Sequence, residues 1–255
     1  MVQMKHARII GFISVKGGVG KTTSVANLGF ILANNFKKKV LVVDGNFSAP
    51  NLALHFGFVK PQYTLHDVLD GKVNIRKAIY EHSSGMHLLP SSLISKKVDY
   101  TKFGKHLAGL RSFYDVILID SSPSFSEEML ATVGASDELF VLTTPDYVTL
   151  ASTLHAVKVA KQKKTYLLDE IQNTTKVPVV SVLHDDEGLL EALAKTKPLA
   201  ALKENNTVIE YKKLAAALIG ERYRDSRLTT KVKGLFSKKL SQDEVNRAIV
   251  MVSHY

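Results

Sequence analysis

Residues 16–23 combine glycines, lysines and threonines in the order K-G-G-V-G-K-T-T. They follow a short apolar run at residues 8–14 and open a stretch whose apolar residues repeat at helical spacing. Successive backbone amides in such a loop point into one concavity, and the start of a helix adds partial positive charge. Lys21 can reach the β- and γ-phosphates of a nucleotide, and the Thr22 hydroxyl can ligate Mg²⁺. The spacing therefore predicts a site for nucleotide phosphates.

Two aspartates lie where a metal ion beside those phosphates would need ligands. Asp44 and Asp120 each end an apolar run that is typical of a buried strand. Open α/β sheets bind their ligands at the carboxyl ends of the strands. Mg²⁺ keeps several waters and takes few protein ligands, mostly carboxylates. We therefore expect Thr22, Asp44 and Asp120 to form the metal site.

Strand-like and helical stretches alternate along the chain, as they do in α/β proteins. The predicted strands are residues 8–14, 39–43, 86–89, 115–119, 138–143 and 177–183. Helical spacing begins near residue 25 and recurs near residues 101–112, 146–164, 186–196 and 206–219. This alternation of apolar strands with helices predicts a doubly wound, mostly parallel sheet covered on both faces. We expect one domain over residues 1–220 and a basic tail over residues 221–255.

Composition excludes several classes of protein. The chain has 255 residues and no cysteine, which excludes disulfide scaffolds, thiolate zinc sites, iron–sulfur carriers and cysteine nucleophiles. Its 34 basic and 24 acidic residues give a net charge of +10, which favours an anionic partner without naming one. No apolar run approaches the roughly 20 residues that span a bilayer, so we expect a cytoplasmic protein.

Three ordered motifs resemble those of the MinD/ParA ATPases. Residues 16–23 resemble the deviant Walker A motif of that family, residues 40–54 its second motif, and residues 114–123 its Walker B and switch II segment. The resemblance covers residues 8–160 well and residues 177–220 more loosely, and is greatest to archaeal MinD-type members. It implies a P-loop NTPase with a Rossmann-like three-layer α/β/α fold.

The resemblance also implies cofactors, a dimer and site residues. ATP or ADP with Mg²⁺ would be the cofactors, and ATP would favour a face-to-face homodimer in which Lys16 touches the partner's nucleotide. Residues 183–186 match a loop on the base side of the family's site. The expected nucleotide-binding residues are Gly17, Gly18, Val19, Gly20, Lys21, Thr22, Thr23 and Asp186. The expected catalytic residues are Lys16, Lys21 and Asn46.

The sequence departs from the family pattern at two places. Asn46 stands where the family has an aspartate that orients the attacking water. An amide cannot accept a proton as a carboxylate can, although it can still hydrogen-bond a water, so slow hydrolysis is predicted. The strand that normally ends in the base-reading asparagine has only a short apolar remnant near residue 165. We therefore expect that one strand is missing or shortened there.

The tail carries a separate basic signal. Residues 221–240 hold seven basic residues against two acidic ones. Within them, residues 231–240 place apolar side chains on one helical face and lysines on much of the other, which suits an anionic membrane surface. MinD proteins end in a similar membrane-targeting helix. A surface helix packed on the body, a nucleic acid contact and a protein partner remain open alternatives.

Together these features predict an ATP-binding, slowly hydrolysing switch that positions partners on a surface, as in the placement of the division site. It would be peripheral at the inner face of the cell membrane and would be controlled by a regulatory protein. The alternatives are a hydrolysis-deficient, nucleotide-dependent scaffold and a ParA-type ATPase that partitions DNA. A cluster of lysines near residues 158–164 would then contact DNA phosphates, although it also suits the C-terminal end of a helix.

Overall fold

The computed structural model describes residues 6–94, 98–142, 181, 183 and 186–224. Its described strands form a single sheet in the order β3-β4-β2-β5-β1-β6. They are β1 (Arg8–Ser14), β2 (Val40–Gly45), β3 (Tyr80–Glu81), β4 (His87–Leu89), β5 (Val116–Pro123) and β6 (Glu138–Val141). Neighbouring strands are parallel except for β3, which runs antiparallel to β4. The predicted mostly parallel sheet is confirmed.

The central strands are buried on both faces. Every residue of β2 is buried, as are six of the seven residues of β1. Alternate side chains enter two separate apolar clusters: Val40 and Val42 lie in one, whereas Leu41 and Val43 lie in the other. This explains the continuous apolar runs in the sequence, because a parallel sheet covered by helices has no solvated face.

Helices cover both faces of the sheet. The described helices are α1 (Lys21–Asn34), α2 (Leu65–Leu69), α3 (Phe103–Ala108), α4 (Glu127–Ala135), α5 (Gly188–Ala194) and α6 (Asn206–Leu218). Apolar residues of α1 and α6 pack into the cluster on one face. Those of α2 and α3 pack into the cluster on the other face. The three layers agree with the predicted α/β/α architecture.

Three of the named elements escaped the sequence patterns: α2, β3 and α4. Helix α2 has five residues, too few to show a clear helical period. Strand β3 has two residues, too few to show a period of alternation. Helix α4 follows β5 within a few residues, and its N-cap is Ser126, whose hydroxyl accepts a hydrogen bond from the Met129 backbone amide at 3.2 Å. A serine followed by acidic residues is a common helix start, so this signal was available in the sequence.

Other predictions lie outside the described residues. These are the helix near residues 146–164, the missing or shortened strand near residue 165, most of the predicted strand at 177–183, and all of the tail beyond residue 224. Among the helices that the structure does describe, none is long and apolar enough to cross a membrane.

Helix α1 lies very close to the sheet at Gly29. A Cβ built on Gly29 would lie 2.5 Å from Val42 Cγ1 and 2.9 Å from Met86 Sδ. Both neighbours belong to the same buried cluster as the apolar residues of α1. The absence of a side chain at this position therefore sets the height of α1, and of the loop before it, above the strands.

Gly29→Ala should lower the free energy of unfolding by about 1–3 kcal/mol, because the added methyl group overpacks this contact. The matched control is Gly134→Ala, on the exposed side of α4, where an added Cβ meets nothing within 4 Å. Urea unfolding of the two variants measures the difference. Equal stability in both would contradict the close approach of α1.

Candidate nucleotide and metal site

The loop between β1 and α1 has the backbone that phosphate binding needs. Gly18 and Gly20 adopt left-handed φ values of 78° and 85°. Gly20 also precedes the first turn of α1, which has no side-chain cap and no acidic residue. The first amides of α1 therefore lack an internal partner, and the helix dipole favours an anion there. Residues 16–18 of the loop are exposed to solvent.

Lys21 and Thr22 meet Asp120 beneath this loop. The Lys21 ammonium lies 3.1 Å from Asp120 Oδ1 and also donates to the Ser121 carbonyl. The Thr22 hydroxyl donates to Asp120 Oδ2 at 2.6 Å. Lys21 is 7% exposed and Asp120 is fully buried, so the pair is shielded from water. The structure thus brings together three residues that the sequence predicted to act on phosphate and metal.

Asp44 is aligned with Asp120 on the neighbouring strand, because the register of β2 and β5 pairs the two residues. The Asp44 carboxylate accepts hydrogen bonds from two backbone amides, that of Asn46 at 3.2 Å and that of Leu52 at 3.1 Å. Burial raises the pKa of Asp44 well above its usual value, and the negative charge of Asp120 raises it further. A cation beside this pair would favour the charged form of both carboxylates.

This donor set fits Mg²⁺. A hydroxyl and two buried carboxylates supply hard oxygen atoms, and their mutual repulsion favours a divalent cation. Within the described residues, no group of three or more histidines, aspartates and glutamates could hold a metal. Mg²⁺ would therefore need waters and nucleotide phosphates to complete its shell. Thr22 and Asp120 would hold the ion, with Asp44 nearby.

The Asn46 side chain, which the sequence predicts to position the attacking water, is bonded within its own loop. It is 6% exposed, and both ends of its amide bond to one neighbour. Its Nδ2 donates to the Ala49 carbonyl at 2.6 Å, and its Oδ1 accepts from the Ala49 amide at 3.2 Å. These bonds hold the side chain within its own loop and leave one N–H donor and one oxygen lone pair for a water.

Asp186 organises the chain around α5 and α6. Its carboxylate accepts from the Gly188 amide at 2.8 Å and from Asn205 Nδ2 at 2.6 Å, and it lies 3.1 Å from Lys203 Nζ. Burial acts to raise the pKa of Asp186, but the Gly188 amide and Lys203 outweigh it and lower the pKa. Asn205 in turn caps α6. This carboxylate is engaged with its own part of the chain, and its predicted role at the base stays a prediction.

Glu128, on the first turn of α4, is a residue of this region that the sequence patterns missed. Its carboxylate accepts hydrogen bonds from the Phe47 amide at 3.0 Å and the Ser48 amide at 3.3 Å. It also accepts from the Ser48 hydroxyl. An acidic residue at a helix start is explained by the helix dipole alone, so no pattern in the sequence indicates that it contacts another loop.

The fold and this site together define a P-loop nucleotide-binding protein. Its defining features are the glycine loop, the buried Lys21–Asp120 pair and the paired aspartates near the carboxyl ends of β2 and β5. A family model described as AAA domain (AAA_31) matches residues 7–172. The chain belongs to this family, and the predicted resemblance to MinD-type ATPases is confirmed by its relatives.

Three relatives support this assignment. An ATP-binding protein of Methanocaldococcus jannaschii is 30% identical over 257 residues, which cover 90% of this chain and 97% of that protein. The cell division ATPase MinD of Pyrococcus furiosus superposes with a TM-score of 0.78 at 28% identity, over 84% of this chain and 99% of that one. MinD of Pyrococcus horikoshii, solved with Mg-ADP, gives 0.75 at 28% identity, over 91% and 100%. ATP or ADP with Mg²⁺ are the cofactors of this group, as the sequence predicts.

Lys21→Ala should lower the free energy of unfolding by about 3 kcal/mol without any nucleotide, because it leaves a buried carboxylate without its cation. The matched control is Lys16→Ala, which removes an exposed lysine from the same loop. Urea unfolding of the nucleotide-free proteins measures both. A Lys21→Ala protein as stable as Lys16→Ala would mean that the buried pair contributes nothing to the fold.

Proposed function

We propose that this protein is an ATP-dependent switch that binds Mg-ATP, forms a homodimer and hydrolyses the nucleotide slowly. The observation that carries the proposal is the buried contact of Lys21 and Thr22 with Asp120 under a loop of left-handed glycines. Such a site has a basic group, a hydroxyl and a carboxylate ready to exchange their mutual contacts for a phosphate and a metal.

Each group would act in a simple way. The amides of residues 17–20 and the start of α1 would hold the β-phosphate, with Val19 in the loop and Thr22 and Thr23 in the first turn of the helix. Lys21 would move its ammonium from Asp120 to the β- and γ-phosphates. Bound Mg²⁺ would neutralise charge on the phosphates. Asp120, released from Lys21, would keep its negative charge balanced by that ion.

The dimer and its location complete the proposal. Lys16 is exposed at the rim of the loop, where a second copy could receive it. One structural relative is a cell division ATPase, which supports a role in spatial organisation. The basic segment 231–240 would place the dimer on an anionic membrane, peripheral at the inner face, and a regulatory protein would set its lifetime. The energy of ATP binding and hydrolysis would then control where the protein is located and would not drive a synthetic reaction.

A second candidate function is a nucleotide-dependent scaffold that does not turn over. The observation that favours it is the Asn46 side chain, whose amide is bonded at both ends to Ala49. If this arrangement persists with bound nucleotide, the Asn46 side chain stays restrained within its own loop instead of turning toward an attacking water. Turnover measured beside nucleotide binding separates the two functions.

Asn46→Asp should hydrolyse ATP faster than the wild type. A carboxylate cannot donate to the Ala49 carbonyl, so one of the two bonds that hold the side chain away is lost. The same carboxylate can accept a hydrogen bond from an attacking water. Single-turnover phosphate release checks this, and a rate equal to or below that of the wild type would reject a water-positioning role for residue 46.

ATP should convert the wild type to a dimer, and Lys16→Ala should remain a monomer while still binding ATP. The reason is that Lys16 is exposed and separate from the buried lysine that contacts Asp120. Analytical ultracentrifugation with no nucleotide, ADP and ATP measures the assembly. A wild type that stays monomeric under all three conditions would exclude the switch mechanism.

A further inference from the structure

A buried side chain, that of Glu128, links two segments of the site. One is the stretch from Asp120 to the start of α4, and the other is the loop 46–49 that follows β2 and contains Asn46. Glu128 lies on the first turn of α4 and is 6% exposed. Both of its oxygens face the loop, where they accept from the Phe47 amide, the Ser48 amide and the Ser48 hydroxyl. A buried carboxylate is stable there because all of these groups are donors.

The loop has few other supports for its backbone. Asp44 holds the Asn46 amide from the strand side, and Asn46 itself closes on Ala49. Between these points, the amides of residues 47 and 48 both donate to Glu128. The ring of Phe47 is anchored separately, since it is buried against Tyr100 and Phe103. Glu128 therefore orients the backbone beside Asn46, while the apolar anchor keeps the loop attached to the core.

Glu128 is also connected to the nucleotide side of the site. Asp120 contacts Lys21, and the next carbonyl, that of Ser121, accepts from the same ammonium. Ser122 Oγ lies 2.9 Å from the oxygen of Ser126, the residue that caps α4. A shift of Lys21 from Asp120 to a phosphate would thus act on the segment that sets the position of α4.

We propose that Glu128 is a positioning residue that couples nucleotide binding at Lys21 and Asp120 to the placement of Asn46. It acts through its hydrogen bonds to the backbone of residues 47 and 48. This inference rests on the proposed function, since it assigns a regulator to the same site. Removing the coupling should impair the chemical step and leave nucleotide binding intact.

Glu128→Gln tests the coupling, because glutamine keeps the shape but turns an NH₂ donor toward groups that are themselves donors. The single-turnover rate of ATP hydrolysis should fall at least about tenfold, since small misplacements near the reacting atoms are costly. The KM for ATP should stay within about twofold of the wild-type value. Glu127→Gln, an exposed neighbour on the same turn, is the matched control and should behave as the wild type.

A double variant distinguishes positioning from a general loss of structure. If Glu128 acts through Asn46, then Glu128→Gln combined with Asn46→Ala should be no slower than Asn46→Ala alone. Multiplying effects in the double variant would show independent roles and overturn the proposal. Ser48→Ala, which removes one of the three bonds without altering α4, should give an intermediate rate and serves if Glu128→Gln fails to fold.

Hydrogen exchange gives a readout that does not depend on turnover. The Phe47 and Ser48 amides should exchange at least about tenfold faster in Glu128→Gln than in the wild type or Glu127→Gln. Mg-ADP should slow their exchange in the wild type and in Glu127→Gln but not in Glu128→Gln. If the wild type binds Mg-ADP but the exchange of these two amides does not slow, the role of Glu128 is overturned and the proposed function is not. A wild type that binds no Mg-ADP would overturn the proposed function and this role with it.

Discussion

The site is organised by the need to place a cation beside two carboxylates buried on adjacent strands. The register of β2 and β5 sets Asp44 opposite Asp120, and neither side chain is accessible to water. Two such groups cannot both remain charged without a compensating cation nearby. Lys21 supplies a cation to Asp120, 3.1 Å away. A nucleotide with its metal would supply another, so the charge balance that stabilises the fold is also the one that ligand binding changes.

The position of Lys21 depends in turn on how α1 is seated. The left-handed glycines turn the chain from β1 into the helix, and Gly29 lets the helix approach Val42 more closely than any side chain would allow. Both features fix the lysine at the first residue of α1, directly over the end of β5. The close packing at Gly29 and the backbone conformation at the start of α1 together determine where the Lys21 ammonium lies.

The loop after β2 decides what the site can do beyond binding. Its asparagine is engaged with Ala49, and its next two amides are engaged with Glu128. This arrangement gives each backbone amide of residues 46–49 an internal partner, which favours a stable resting loop. It also places Asn46, the proposed water-positioning residue, in a loop separate from the P-loop. A slow switch is consistent with such a division of roles.

The sequence by itself determined the sheet, the phosphate loop and the paired aspartates. Buried parallel strands must be apolar throughout, and a loop that receives phosphates must contain glycine at left-handed positions, so both leave local patterns. Only the tertiary structure decided the surroundings of Asn46, Asp186 and Glu128. Their hydrogen bonds depend on which backbone groups the fold brings near them. Asn46 bonds within its own loop, Asp186 reaches Asn205 on the way to α6, and Glu128 meets a loop 80 residues earlier in the chain. No spacing in the sequence encodes such contacts, because they form only when the layers pack.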